Sequence, residues 1–450
     1  MFIYNALRKL NRTRKEKIKA RAGQWISPVR RIERVHPLKG ERLCAMTFDD
    51  GPCRLPPNPA LAGNENVELT RYLADVLLSF GASATFDVVG DTSGNYPDDA
   101  GEMGGFYWGG KKYDHYPDIG QDSMGGARNC PELMKYLIAN GFEISNHGDR
   151  HILFGKSLVY YKRRPYRSFD EVLADLRGLD EYVYGQYGYK MSLARPPHYI
   201  DRIAGGLTAY DAYEMLGYNY MAASFDGGGW MPQAGSREEE CEKMLSGLRA
   251  ALEADPDALN GQIIFQKDGF NMSRKTPVAD ALPMQLALLM DYGYRVVGVE
   301  ALLDRTPFAD LDPEAPYAEA VRGILKRKLP VGFRDNTFRP DDPLLFGEAC
   351  AMLAPERERM RRIELKREGN TSAGGISLGS LHSTAYLWAV KNGMRNDINE
   401  QVTSESLAKL LRLAGYPGDI KRDAKYTHSD AAEEIYRNIL IKEADSQNGK

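Results

Sequence analysis

RLCAMTFDDGP, residues 42–52, is the stretch that decides the fold. Its first seven residues are a short, largely apolar run, as a buried parallel strand is, and the run ends at DDGP, a turn sequence. Two adjacent carboxylates after such a strand are poor core material, because burying either one without a partner is costly. Asp49 and Asp50 therefore face a cation, a hydrogen-bond donor or solvent, or they simply make the turn. Adjacent side chains diverge, so one carboxylate can ligate a metal while the other faces a substrate.

Working outward, residues 67–80 carry Leu69, Leu73, Val76, Leu77 and Phe80 at helical spacing. Gly81 stands where a helix stop is expected, and SATFDVVG, residues 83–90, reads as the next strand. The alternation continues with a short helix over 131–139, FEISN, and a helix from Ser168 to Tyr182 that opens on a capping box with Glu171. KMSLARPP, MLGYNYMAASFD, a helix over 237–254, GQIIFQKD, a helix over 278–292 and YRVVGVEALL follow. Recurrent strand-then-helix units predict a parallel α/β fold closing toward a barrel, with polar residues gathered at the strand ends. Residues 91–130 break this rhythm. They are rich in Gly, Tyr and Asp, and Tyr107, Trp108, Tyr113, His115 and Tyr116 suit either a sugar-stacking lid or packing of the loop onto the barrel.

Composition narrows the class. Hydrophobic residues make up 43% and charged residues 27%, ordinary values for a globular protein, and the length of 450 allows two or three domains. A net charge of -3 gives no reason to expect nucleic acid, and no apolar run approaches the roughly 18 residues that span a membrane. Residues 8–21, RKLNRTRKEKIKAR, form a basic arm followed by no apolar segment of the signal-peptide kind, which reads as cytoplasmic, with a cell-wall association as the alternative should C-terminal repeats be functional and the true start differ. The five cysteines are spread out and form no CxxC pair, which suggests neither a disulfide framework nor a structural zinc site. A reducing compartment fits them.

His147 and His151 are four apart, a spacing that would place two imidazoles on one face of a helical turn. HxxxH also arises by chance on surface helices. Two neutral imidazoles with one carboxylate nevertheless make a three-ligand zinc site that leaves a position for water.

From about Arg42 to Leu303 the chain resembles the polysaccharide deacetylase family, also known as the NodB-homology or carbohydrate esterase 4 domain. TFDDGP at 47–52 matches its first motif, NHGDRH at 146–151 its second, and Arg195-Pro-Pro197 the core of its third. SATFDVVG is similar to the family's ATFFVVG strand. The resemblance implies a distorted (β/α) barrel with one divalent metal, zinc first and cobalt or another ion next, held by Asp50, His147 and His151. It implies Asp49 as the general base, with Arg195 holding it ionised and oriented. Pro197, Tyr199, Asp226 and Trp230 fall where substrate contacts are expected, although a lone tryptophan such as Trp230 also serves as core packing. Cys53 lies close enough to reach a metal, but a buried thiol reads more simply as core.

Two positions depart from the family. The fourth motif, DxxDW, reads Asp226-Gly-Gly-Gly229-Trp230 and lacks its second aspartate, and IIFQKD puts Lys267 where the family has the histidine that serves as general acid. The acid side is thus changed at both places while the base and metal side is kept. Lys267 or His198 then supplies the proton, or the domain binds carbohydrate without turning it over.

Beyond Arg305 the texture becomes helix, glycine turn, polar loop, helix. Residues 308–348 resemble an S-layer homology repeat, and residues 388–407 a degraded second copy. In that family a TRAE-like tetrapeptide supplies an arginine for wall-polymer binding. Leu345-Phe-Gly-Glu348 and Thr403-Ser-Glu405 both lack it. Between the copies, residues 357–380 read as a charged, then Gly/Ser-rich insertion or linker.

The expected organisation is a basic arm and lead-in over 1–40, a deacetylase-like domain over 41–305 and a helical repeat region over 306–450. The expected function is metal-dependent removal of N-acetyl groups from an amino-sugar polymer or oligomer, with a cell-wall polymer as a further partner through the repeats. The alternatives are a non-catalytic carbohydrate-binding protein on the same fold and an amidase acting on a small non-sugar amide.

Overall fold

The structure is a computed structural model. It describes residues 24–54, 57, 67–91, 107–108, 111–112, 125–156, 165–230, 235–269, 271 and 275–448. The basic arm over 8–21 and the aromatic-lid reading of Tyr113, His115 and Tyr116 lie outside these residues. Within 91–130, Tyr107–Trp108 pairs antiparallel with Lys111–Lys112. The chain divides into two units, one over 33–305 and the other made of residues 24–32 with 306–448.

The first unit is an α/β fold. Its strands are β1 (Arg42–Asp49), β2 (Thr85–Val88), β3 (Glu143–Asn146), β4 (Leu193–Ala194), β5 (Asn219–Met221), β6 (Phe225–Asp226), β7 (Ile263–Lys267) and β8 (Tyr294–Val297). They pair in the order β5-β4-β3-β2-β1-β7-β6, every pair parallel. β8 pairs with the first half of β1, Arg42–Ala45, and β2 with its second half, Thr47–Asp49. The sheet curls into a half-barrel, the distorted (β/α) barrel expected from the sequence, and among the described residues β5 and β6 are not paired with each other.

Every residue of β1 after Arg42 is buried, as befits a parallel strand covered on both faces. Helices α1 (Leu69–Ser79), α2 (Pro131–Ala139), α3 (Phe169–Tyr187), α4 (Ala209–Leu216), α5 (Arg237–Ala254) and α6 (Pro277–Asp291) lie between strands, and α7 (Val299–Arg305) follows β8. The capping box at Ser168 is present, with Glu171 N–H donating to Ser168 Oγ at 3.2 Å and Ser168 N–H to Glu171 Oε2 at 2.9 Å. α3 then runs five residues past Tyr182, because nothing breaks it before Gly188 in the left-handed region. MLGYNYMAASFD is split: Met215 and Leu216 finish α4, Gly217 stops it, and two short strands follow, Asn219–Met221 and Phe225–Asp226.

The second unit contains α8 (Ala318–Lys326), α9 (Phe346–Leu353), α10 (Glu356–Arg367), α11 (Ser383–Lys391), α12 (Ser404–Leu413) and α13 (His428–Asn448) around one apolar core. Part of the expected lead-in belongs here: Ser27 N–H donates to Gly332 carbonyl at 3.0 Å, and Ile26 bridges Phe333. The expected linker is also structured. α10 buries Arg362 and Ile363, and a small hairpin follows over Ser372–Ser377.

Three helix-capping segments meet in a ring. Leu344 N–H donates to Tyr426 carbonyl at 2.9 Å, Tyr426 N–H to Val402 carbonyl at 3.0 Å, and Val402 N–H to Leu344 carbonyl at 2.9 Å. The sequence reading found two such segments; the structure adds a third, Thr427-His-Ser-Asp430, whose Thr427 Oγ1 bonds Asp430 Oδ2 at 2.9 Å. The cap of α12 is Thr403 with Ser406, whose N–H donates to Thr403 Oγ1 at 3.3 Å. Replacing Thr403 with alanine removes that cap, a loss of about 1 kcal/mol, and is expected to speed amide exchange in the first turn of α12 roughly fivefold in hydrogen-exchange mass spectrometry.

Candidate active site

The sheet register assembles the site. Asp49 is level with Asp87 on β2 and with Lys267 on β7. His147 follows β3, and its N–H donates to Val88 carbonyl at 3.0 Å. Arg195 follows β4, and its N–H donates to Asn146 carbonyl at 3.1 Å. The chemistry-bearing side chains thus stand at the C-terminal ends of neighbouring parallel strands, where α/β folds open their crevice.

Thr47 and Asp49 share one face of β1 by the two-residue period of a strand. Arg195, fully buried, reaches both: Nη1 and Nη2 each donate to Thr47 Oγ1 at 3.2 Å, and Nη1 also donates to Asp49 Oδ1. Burial, opposed by that guanidinium, pushes the Asp49 carboxyl up to about 7. Asp50 turns away because its backbone enters the left-handed region at φ 86°, unusual for a residue with a side chain. Gly51 has to be glycine, since a Cβ there would lie 1.9 Å from Asp268 Oδ2.

Asp50 Oδ1 lies 3.2 Å from His147 Nε2 and 3.2 Å from His151 Nε2. All three residues are buried. His147 Nδ1 is 2.9 Å from Arg195 carbonyl, which can only accept, so Nδ1 carries a proton and Nε2 is directed at Asp50. Three electron-pair donors facing one another are held together by a proton or by a cation. Asp50, His147 and His151 accordingly form a group able to hold a metal ion, and their chemistry fits a divalent one. Without an ion, burial opposes protonation of His147, but Asp87, Asp50 and Asp49 together raise its pKa well above the ordinary value.

The expected helical turn between the histidines is absent. Residues 147–151 form a loop, with Gly148 at φ +89° and His151 at φ 53°. Asp175 on α3 holds it: Asp149 and Arg150 N–H groups both donate to its carboxylate at 3.0 Å, and Tyr166 hydroxyl donates at 2.5 Å. A Cβ at Gly148 would meet Asp175 Oδ2 at 2.8 Å, so the loop can lie this close only with glycine there.

Lys267 is buried, and its ammonium is paired with Asp50 Oδ2. His198 is half-buried, with its ring 5.3 Å from that of His151. Pro197 is buried beside it, and the Tyr199 ring lies 5.4 Å from the Arg195 guanidinium. Asp226 and Trp230 bond each other, indole Nε1 to Oδ2 at 3.0 Å, and Gly228 N–H also donates to Asp226 at 2.9 Å. Cys53 is a buried thiol whose backbone N–H donates to Thr70 Oγ1, and it is not part of the metal-capable group.

Sequence reasoning missed Asp87 and Asp175. Asp87, fully buried on β2, lies 2.9 Å from His147 Nδ1 through Oδ2 and accepts from Ser145 Oγ through Oδ1. Its signal was an acid inside the apolar strand SATFDVVG. Asp175 occupies the same helical stripe as Val172, Leu176 and Leu179, a buried face where an acid is out of place.

The family model for polysaccharide deacetylase matches residues 38–202, and a domain of that family is thereby supported in this part of the chain. No curated protein matches. Among solved structures, the peptidoglycan deacetylase PdaC from Bacillus subtilis is 20% identical, covering 59% of this chain and 91% of its own, with a TM-score of 0.37. A peptidoglycan N-acetylglucosamine deacetylase, Bc1960, is 18% identical over 60% of this chain and 92% of its own, TM-score 0.39. A CE4 family pseudoenzyme from Bacillus anthracis is 15% identical over 62% of this chain and 70% of its own, TM-score 0.37.

Asp175→Ala leaves two loop N–H groups without their acceptor. Zinc affinity is expected to fall about 10–100-fold, as for other groups that orient ligands, with circular dichroism unchanged; titration against a chromophoric chelator reads it.

Proposed function

We propose that the chain is a metal-dependent hydrolase that removes N-acetyl groups from an amino-sugar polymer or oligomer. The observation that carries this reading is the meeting of Asp50 Oδ1, His147 Nε2 and His151 Nε2 beside an Asp49 gripped by Arg195. The family match over residues 38–202 supports it. A divalent ion in that group, zinc first, would polarise the amide carbonyl and acidify water.

Asp49 Oδ1 is engaged by Arg195, and Oδ2, 3.9 Å from His147 Nε2, takes the proton of the attacking water. Arg195 fixes the carboxylate in place and favours its ionised form. His198, half-buried against His151, donates to the leaving nitrogen. Lys267, the other candidate for this step, is held by Asp50. Pro197, Tyr199, Asp226 and Trp230 are proposed to border the sugar, the indole offering an apolar face oriented by its bond to Asp226. The ring of three caps supports reading the second unit as related helical repeats of the S-layer homology kind. At the arginine position of the tetrapeptide these hold Phe346, Ser404 and His428, so wall-polymer binding is not part of this proposal.

Acetate release from N-acetylglucosamine oligomers, with zinc or cobalt and beside a panel of short acylamides, tests the reading. Release from oligomers with added metal is expected. Sugar binding without release under any metal points to the non-catalytic alternative, and release from acylamides alone points to the amidase. Asp49→Asn is expected to cost about 10²–10⁴-fold in kcat, the usual contribution of a general base.

The pH dependence has a definite sign. Asp49 works ionised, so kcat/KM is expected to rise with pH along an acid limb no higher than about 7. A neighbouring metal ion would move that limb lower. Arg195 is the largest influence lowering this pKa, so Arg195→Gln should shift the limb upward; a limb that stays put removes Asp49 from the base role.

A further inference from the structure

We infer that Lys267 is a resident cation of the metal site, opposing the entry of a divalent ion into the group formed by Asp50, His147 and His151. The inference rests on the proposal that those three residues hold a metal. Its own ground is the division of labour within one carboxylate: Asp50 Oδ1 faces the two imidazoles, and Oδ2 is paired with the Lys267 ammonium.

β7 runs parallel to β1 with Lys267 in register with Asp49, so the lysine enters from the strand itself. Its backbone position is set by the sheet. A lysine buried this deeply needs a carboxylate partner, and here that partner is the one the metal would use. When no ion is bound, the ammonium neutralises Asp50. When an ion is bound, two cations share one carboxylate, and each weakens the other's hold on it. The lysine therefore stabilises the ion-free site and lowers its affinity for zinc.

The experiment compares zinc affinity of the full chain with that of Lys267→Met and Lys267→Gln, by competition with a chromophoric chelator and by thermal unfolding with and without zinc. Both neutral variants are expected to bind zinc about 10–100-fold more tightly, the range for changes next to a metal ligand, and to gain more in Tm on zinc addition than the wild type does. Equal or weaker affinity overturns the inference and makes Lys267 an orienting group for Asp50. Should both variants fail to fold, acetic anhydride labelling of the wild type decides. Zinc is expected to raise labelling of Lys267 by loosening its pair with Asp50, and unchanged or reduced labelling overturns the inference. Asp50→Asn and His147→Ala, titrated in parallel, separate the two readings. If both bind zinc as the wild type does, the metal site itself fails, whatever Lys267 does.

Discussion

Four carboxylates buried at the ends of adjacent strands set the terms for the rest of the first unit. Asp49, Asp50, Asp87 and Asp268 are each at most 9% exposed, and burying so much like charge without compensation would cost more than a domain's whole stability margin. The compensation is specific. Arg195 answers Asp49, Lys267 answers Asp50, His147 approaches Asp87, and Thr70 hydroxyl donates to Asp268 at 2.7 Å. Burial still pushes the Asp268 carboxyl up to about 7. With all four acids ionised, the two permanent cations leave a deficit of two charges. A divalent ion would match that deficit, as would protons on the site.

The same logic explains why the histidines sit on a loop. A helical turn would set the two imidazoles at a fixed spacing along a cylinder, whereas the loop lets both Nε2 atoms come to one carboxylate oxygen. Such a loop keeps its shape only if its backbone polar groups are satisfied. Asn146 Oδ1 accepts from Gly148 N–H at 2.9 Å, and Asp175 accepts from the next two residues, so a side chain on a rigid helix replaces the hydrogen bonds a helical turn would have made. Precision at the site thus comes from α3 and β3 rather than from the loop itself.

This division also separates what was legible in the sequence from what was not. Asp49, Asp50, His147, His151 and Arg195 lie in short local motifs, and the strand-helix alternation placed them at strand ends without any knowledge of pairing. Asp175 acts across 26 and 25 residues on Asp149 and Arg150, and Asp87 across 60 on His147, so neither partnership shows in a local window. Each left only an acid on an otherwise apolar face as its trace. The third cap segment was hidden for a related reason: its partners lie at 344 and 402, and the ring closes through backbone groups, which carry no residue code.

Backbone geometry bears on the first of the two departures from the family pattern, the glycine at 229. Gly228 and Gly229 both lie at φ +83°, a conformation an aspartate adopts only with strain, and a Cβ at Gly229 would meet Met244 Cε at 3.0 Å. The turn after β6 as it stands therefore disfavours the second acid of DxxDW. Asp226, the acid that remains, is bonded to Trp230 and Gly228. Lys267, in register with Asp49 on β7, reaches Asp50. At that position the structure places an ion pair with Asp50.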